Sequence, residues 1–301
     1  MGGPKEDTML IRVGCDFDYE VGYPTSTVLQ VQPHRDGAHR LLHETWETRP
    51  ALPFQEYHDL YDNTCQRFVM PPGDLFLRYD ALVEVPDSKD EVVPDAAQVP
   101  VEELPDAALL YTLPSRYCLS DVLSDAAWQL FGGTEPGWAR VQAVCDWVHE
   151  NIRFQYGTST PLTTSADVYE ARVGVCRDFT HLGVTFCRAL NIPARYVFGY
   201  LPDIDVPLPD APMDFCAWFE AYLGGRWYTF DPRNNEPRVG RAVIGRGRDA
   251  LDVAMVTTYG GPRLREMVVR ADKAEDGAET AAPPVATVDG PAHRAYEKQT
   301  R

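Results

Sequence analysis

Three residues of this 301-residue chain have the types and spacing that thiol chemistry needs: Cys176, Cys216 and Asp231. Cys176 follows a glycine loop in "ARVGVCRDFTHLGVTFCRALNIP", where Cys176, Phe179, Phe186 and Leu190 recur at helical intervals. A cysteine in the first turn of a helix meets unpaired backbone N–H groups and the positive end of the helix dipole. Both favour thiolate over thiol, and the same N–H groups can stabilise an oxyanion. Position alone leaves a second reading equally open, because free cysteine is among the most buried residue types. Cys187, mid-helix between Phe186 and Leu190, reads as core filler.

The second cysteine lies in "DFCAWFEAYLGGRWYTFDPRNN", two aromatic strand patterns joined at Gly224-Gly225. A two-residue loop there sets Tyr222 opposite Trp227, Glu220 opposite Thr229, Trp218 opposite Asp231 and Cys216 opposite Arg233. Side chains alternate, so Cys216, Trp218, Glu220 and Tyr222 share a face with Trp227, Thr229 and Asp231. Cys216 becomes a diagonal neighbour of Asp231, about 7–8 Å away between backbone positions. Trp218 is the aromatic next to this set and is expected to line a substrate cleft. Glu220 reads as solvated or ion-paired, and Asp178 as a cap of the helix start.

These residues need elements to hold them. Short runs rich in branched and aromatic residues, separated by Pro, Gly and Asp, fill positions 9 to 86 and predict a small β-rich domain over 1–86. Residues 87–106 follow as an acidic, proline-rich linker expected to be solvated. The rhythm then becomes helical in "GWARVQAVCDWVHENI", which opens a core predicted over 107–270. The strand "ARYVFGYL" and the Gly-Gly hairpin complete an α+β arrangement. The segment "RVGRAVIGRGRD", with four arginines and three glycines, reads as a surface loop, and the Ala/Pro/charge-rich tail 271–301 as disordered.

Composition narrows the partners. A net charge of −17, from 45 acidic against 28 basic residues, repels nucleic acid and anionic membranes. No apolar run approaches the ~20 residues of a membrane span, and the amino-terminal stretch does not read as a signal peptide, so a cytoplasmic protein is expected. Seven sparse cysteines without a C-x-x-C pair argue against a disulfide scaffold and against a zinc motif.

The segment from "TSADVYEARVGVCRDF" to "RALNIPARYVFGYLPD", followed by "DFCAWFEAYLGGRWYTFD", resembles the core of the transglutaminase-like superfamily, which includes bacterial cysteine proteases and acyltransferases. The resemblance extends over about residues 9 to 265. It implies a papain-like α+β fold, with the helix that bears the nucleophile packed on an antiparallel sheet, and no cofactor. It makes Cys176 the nucleophile and Asp231 the orienting carboxylate. At the third position the chain departs: a D-x-H-A-W pattern is usual, and here it reads "DFCAW".

An imidazole of pKa near 6.5 can take the thiol proton and return it to a leaving group at neutral pH, whereas a thiol of pKa about 8.5 must first lose its own proton. Other histidines are poor substitutes. His181 lies about 500° further round the helix than Cys176 and so points roughly 140° away, and His149 reads as a surface or supporting residue. The favoured expectation is a thiol acyltransferase of specialised biosynthesis with an atypical Cys176, Cys216, Asp231 set. It would form or exchange an amide or thioester on an acyl or peptide substrate, free or presented by a carrier protein. The alternatives are a cysteine protease or amidohydrolase, and a catalytically silent relative that binds a peptide or carrier in the same cleft. A two-thiolate, one-carboxylate zinc site has permissible ligand types but no motif behind it.

Overall fold

The structure, a computed structural model, describes residues 8–35, 39–207 and 211–274. Strand β1 (Thr8–Val21) alternates apolar and polar residues and buries Ile11, Val13, Cys15, Phe17 and Tyr19. With β2 (Thr25–Leu29), β3 (Arg40–Arg49), β4 (Gln55–His58), β5 (Thr64–Met70) and β6 (Gly73–Pro86) it forms the β-rich front of the molecule. The helices are α1 (Asp106–Leu109), α2 (Ser124–Phe131), α3 (Trp138–Asn151), α4 (Ser165–Ala171) and α5 (Cys176–Ala189), with the two-residue strands β7 (Arg153–Phe154) and β8 (Val173–Gly174) among them. Then come β9 (Ala194–Tyr200), β10 (Cys216–Leu223), β11 (Arg226–Phe230), β12 (Ala242–Gly247), β13 (Val256–Thr258) and β14 (Arg263–Lys273).

One antiparallel sheet has the order β11-β10-β9-β12 and carries α5 on one face. Helix α5 is buried along most of its length, with Phe179, Leu182, Val184 and Phe186 joining Val141, Val144 and Val148 of α3 and Phe219 of β10 in one core. Its approach to the sheet depends on Gly183, where a Cβ would lie 2.8 Å from the Phe219 ring. The result is the expected mixed fold, a nucleophile-bearing helix on an antiparallel sheet behind a β-rich region.

Three details of the organisation differ from expectation. The final strands do not belong to the core sheet: β14 pairs with β1, with Val13 opposite Ala271, and β13 pairs with β2. A boundary at 270 therefore cuts through the front sheet, because strand pairing ignores sequence distance. The acidic segment is also not a solvated linker throughout. Asp90 is ion-paired to buried Arg241, and Ala96 is buried in the helical core. Third, "RVGRAVIGRGRD" is no surface loop, since it supplies β12, an edge strand of the core sheet. Of the predicted tail, residues 271–273 complete β14, and 275–301 lie outside the described residues.

Candidate active site

The first turn of α5 is built by a glycine and a carboxylate. Asp178 accepts the Val175 N–H at 2.9 Å on one oxygen and the Ser159 hydroxyl at 3.0 Å on the other, so it caps the helix as its position suggests. A Cβ on Gly174 would sit 2.7 Å from the Asp178 Cβ, which explains the glycine in "GVC". Cys176 is thereby presented at the helix start, half-buried, with its Sγ 3.9 Å from the Phe215 carbonyl oxygen at the entry to β10.

The thiol is not poised as helix position alone suggests. Burial pushes Cys176 up to about 11, against the opposing pull of the Arg233 guanidinium and the Ala217 N–H, and the carboxylates of Asp214 and Asp178 add to the rise. Cys216 is likewise raised, to about 12, by burial and by its proximity to Cys176. Burial thus favours the thiol over the thiolate in both side chains. The dipole of one helix end is the smaller effect here, and desolvation outweighs it.

The hairpin forms as predicted: Gly224 and Gly225 both have positive φ, 54° and 94°, and Tyr222 pairs with Trp227, Glu220 with Thr229. The ladder ends at Phe219 opposite Phe230, because the chain turns over Asp231–Asn235, closed by Asn235 N–H on the Asp231 carbonyl at 2.8 Å. Trp218 and Cys216 thus have no ladder partner on β11 and pair instead with Val197 and Gly199 of β9. Arg233 still reaches across: its Nη1 donates to Cys216 Sγ at 3.8 Å, while its guanidinium lies over the Phe154 ring at 4.3 Å. His149 Nδ1 braces this turn through the Arg233 carbonyl, 2.8 Å away.

Asp231 is buried and fully engaged. One oxygen accepts the N–H groups of Arg233 and Asn234, at 3.1 and 3.0 Å, and the other accepts Asn234 Nδ2 at 2.8 Å and Arg241 Nη2 at 3.0 Å. Burial alone would raise this carboxyl, but the Arg241 charge and the Asn234 donors hold it below its ordinary range. A carboxylate offers about four lone-pair sites, and these four donors use them. Asp231 has no remaining capacity to orient residue 216. Arg241 in turn stacks on the Trp218 ring at 4.7 Å and pairs with Asp90 at 2.8 Å.

Trp218 therefore does not line a cleft. It is 1% exposed, packed with Val197 and Val243, and serves as the platform for Arg241. Glu220 is ion-paired as expected, held between Arg195 and Arg246. His181 is buried; its Nε2 accepts the Ala250 N–H at 3.1 Å and its ring stacks on Tyr117, which keeps it out of acid–base work. The described residues contain no cluster of metal-binding side chains and no helix long and apolar enough to cross a membrane. The residues that sequence reasoning passed over are Arg233, Arg241, Asp90 and Asp214. The hairpin pairing did set Arg233 opposite Cys216. Nothing in the composition of the acidic segment marks Asp90.

The profile of the transglutaminase-like superfamily matches residues 125–232, from α2 to the turn that holds Asp231. The crystal structure of a candidate cysteine protease from Cytophaga hutchinsonii superposes with a TM-score of 0.83 at 31% identity, covering 92% of this chain and 93% of that one. The chain belongs to the transglutaminase-like superfamily. An uncharacterized protein of Mycobacterium leprae is 27% identical over 222 residues, 69% of this chain and 76% of its own length. An uncharacterized protein of Mycobacterium tuberculosis is 34% identical over 115 residues, 35% of this chain and 37% of its own. In this chain the position between Asp214 and Trp218 that holds Cys216 is contacted by the Arg233 guanidinium.

Proposed function

We propose that this transglutaminase-like chain is a cysteine-dependent acyltransferase in which Cys176 takes an acyl group as a thioester and passes it to an amine or thiol. The observation that carries this reading is the placement of Cys176: first turn of α5, half-buried, beside the Phe215 carbonyl and the Ala217 N–H of an adjoining strand. A backbone N–H there can hold the oxygen of a tetrahedral intermediate. Transfer is favoured over hydrolysis because amide cleavage depends most on protonating its leaving group, and no imidazole is at hand among the described residues near Cys176. Activated donors such as thioesters depend on it least, and a biosynthetic acyl or carrier-bound substrate fits that demand. Cys216 in this reading is a close-packed neighbour of the nucleophile, and Asp231 sets the turn that carries Arg233.

The test is an intact-mass measurement after mixing with p-nitrophenyl acetate or an acyl thioester. The expected result is a gain of one acetyl or acyl group, mapped to Cys176 and absent in Cys176→Ala. One feature favours a second reading, a silent peptide- or carrier-binding relative: burial shifts both thiols toward the protonated form. A protein that stays unmodified under these conditions has that second role.

A further inference from the structure

A buried thiol needs a proton acceptor, and the groups nearest to hand are committed elsewhere. Asp231 is filled by four donors, Asp178 caps α5, His149 holds the Arg233 carbonyl, and His181 accepts from Ala250. Asp214 is different. It directly precedes Phe215, whose carbonyl oxygen faces Cys176 Sγ, and its own Oδ1 accepts the Phe215 N–H at 2.8 Å. The carboxylate and the thiol thus flank the same residue, Phe215. Its second oxygen has no hydrogen-bond donor among the described residues. Around it stand Arg233 from the turn after β11, Tyr156 from the loop after β7 and Cys176 from α5, all close enough to act on one another's charge.

We propose that Asp214 is the acid–base residue of this site, taking over the proton transfers that a histidine at position 216 would otherwise perform. This inference rests on the acyl-transfer reading above. In the first half-reaction the Asp214 carboxylate takes the Cys176 S–H proton as the sulfur attacks the acyl carbon of R–CO–X. The Asp214 carboxyl then returns that proton to X, which leaves as HX, and Cys176 holds the acyl group as a thioester. In the second, an acceptor Nu–H gives its proton to Asp214 as it attacks the thioester; the product R–CO–Nu forms, and the proton passes to the departing Cys176 sulfur. Every proton is returned, and no other reactant is needed.

The ionisation of Asp214 suits the task. Burial raises it to about 6, against the Phe215 N–H and the Arg233 charge, into the range where an imidazole works. A carboxyl with an ordinary pKa would be too weak a base for a buried thiol.

The experiment compares two rates in the wild type and in Asp214→Asn, whose side-chain oxygen can still accept the Phe215 N–H. One is acylation of Cys176 by p-nitrophenyl acetate, followed from pH 5 to 8; the other is alkylation of Cys176 by iodoacetamide. Loss of the base should slow acylation by about 10²–10⁴-fold and remove the rise in rate through about pH 6. Alkylation also needs the S–H proton removed, so over the same pH range it should slow as well and lose the same rise. A fall in both rates with the rise through about pH 6 lost from both supports the inference. Acylation retained by the variant overturns it while leaving the acyl-transfer reading intact. A fall in both rates that keeps the rise through about pH 6 assigns Asp214 a purely structural role and overturns it as well. A wild type that is never acylated at Cys176 removes both claims.

Discussion

The corner before β10 and the corner after β11 each carry an aspartate, and the two are held in opposite ways. Asp231, after β11, is wrapped by four donors, and its carboxyl is held below its ordinary range. Asp214, before β10, has one hydrogen-bond donor among the described residues and a carboxyl raised to about 6. The sequence order of the superfamily marks Asp231 as the functional carboxylate. The hydrogen bonds tie it into its turn, and the titratable role is the one proposed for Asp214. Chain position tells where a charge is; the number of donors around it tells whether that charge can move.

The largest effect expected is chemical. Cys176→Ala should abolish acyl-enzyme formation outright, while Cys216→Ala should still form it, since Cys216 donates no proton in this arrangement. Intact mass after the acyl probe reads both. A Cys216→Ala variant that can no longer be acylated would return Cys216 to the catalytic set and weaken the contrast between the two corners.

Next in size is the stability of the closed corner. Arg241→Met keeps the packing on Trp218 but strands the carboxylates of Asp231 and Asp90, at a cost of about 3–5 kcal/mol if the pair behaves as a broken buried ion pair. A fall in Tm on the order of 10 °C in a thermal melt is the matching observation. The pH dependence has a definite sign. Asp231 has a folded-state pKa below its unfolded one, so its contribution is present above about pH 4 and is lost as pH falls through the lower, folded value. Asp231→Asn should flatten the acid side of the stability curve, whereas Asp214→Asn should not.

Much of this arrangement was legible in the residues, and what was not has physical causes. The helix start at Cys176, the capping role of Asp178 and the Gly-Gly hairpin register follow from local rules, and local rules decided them. The closing of the front sheet by β14 is a pairing across some 250 residues, about which local pattern is silent. Asp90 sits among acids and prolines that read as solvated, and its contacts with Arg241 and the Arg238 backbone, far away in sequence, remove it from water. Trp218 was expected in a cleft because it adjoins the chemical residues; its ring is instead covered by Arg241, a residue assigned to a surface loop. The thiolate expectation for Cys176 weighs the helix dipole, which is readable from sequence; the burial that pulls its pKa the other way is not.

A smaller effect tests whether the closed corner still has room for the usual chemistry. Cys216→His restores the residue type common in the superfamily, yet the imidazole would find no free acceptor on Asp231. The expected gain in amide hydrolysis, measured with an aminoacyl p-nitroanilide, is less than the ~10²–10⁴-fold that a positioned acid–base residue supplies. Adding Arg241→Gln should vacate one acceptor site on Asp231 and raise the activity of the double variant above that of the single one. A full gain from Cys216→His alone would mean that the four donors yield readily, and the distinction between the corners would lose its force.

The smallest effect comes from two adjacent acids that separate burial from proximity. Asp90 and Glu91 stand side by side in the acidic segment, and each pairs with an arginine: Asp90 with buried Arg241, Glu91 with Arg226, where both partners are more than half exposed. In exposed pairs, water screens the attraction and side-chain entropy opposes it, so Glu91→Gln should change stability by at most about 1 kcal/mol. Asp90→Asn removes a charge that offsets the buried guanidinium, and its cost should be several times larger. Urea melts of the two variants at equal ionic strength give the comparison. Equal losses would mean that the Arg241 network is open to water. Asp231 would then owe its low pKa to its backbone and Asn234 donors more than to the arginine, and Arg241→Gln would free little capacity for a histidine at position 216.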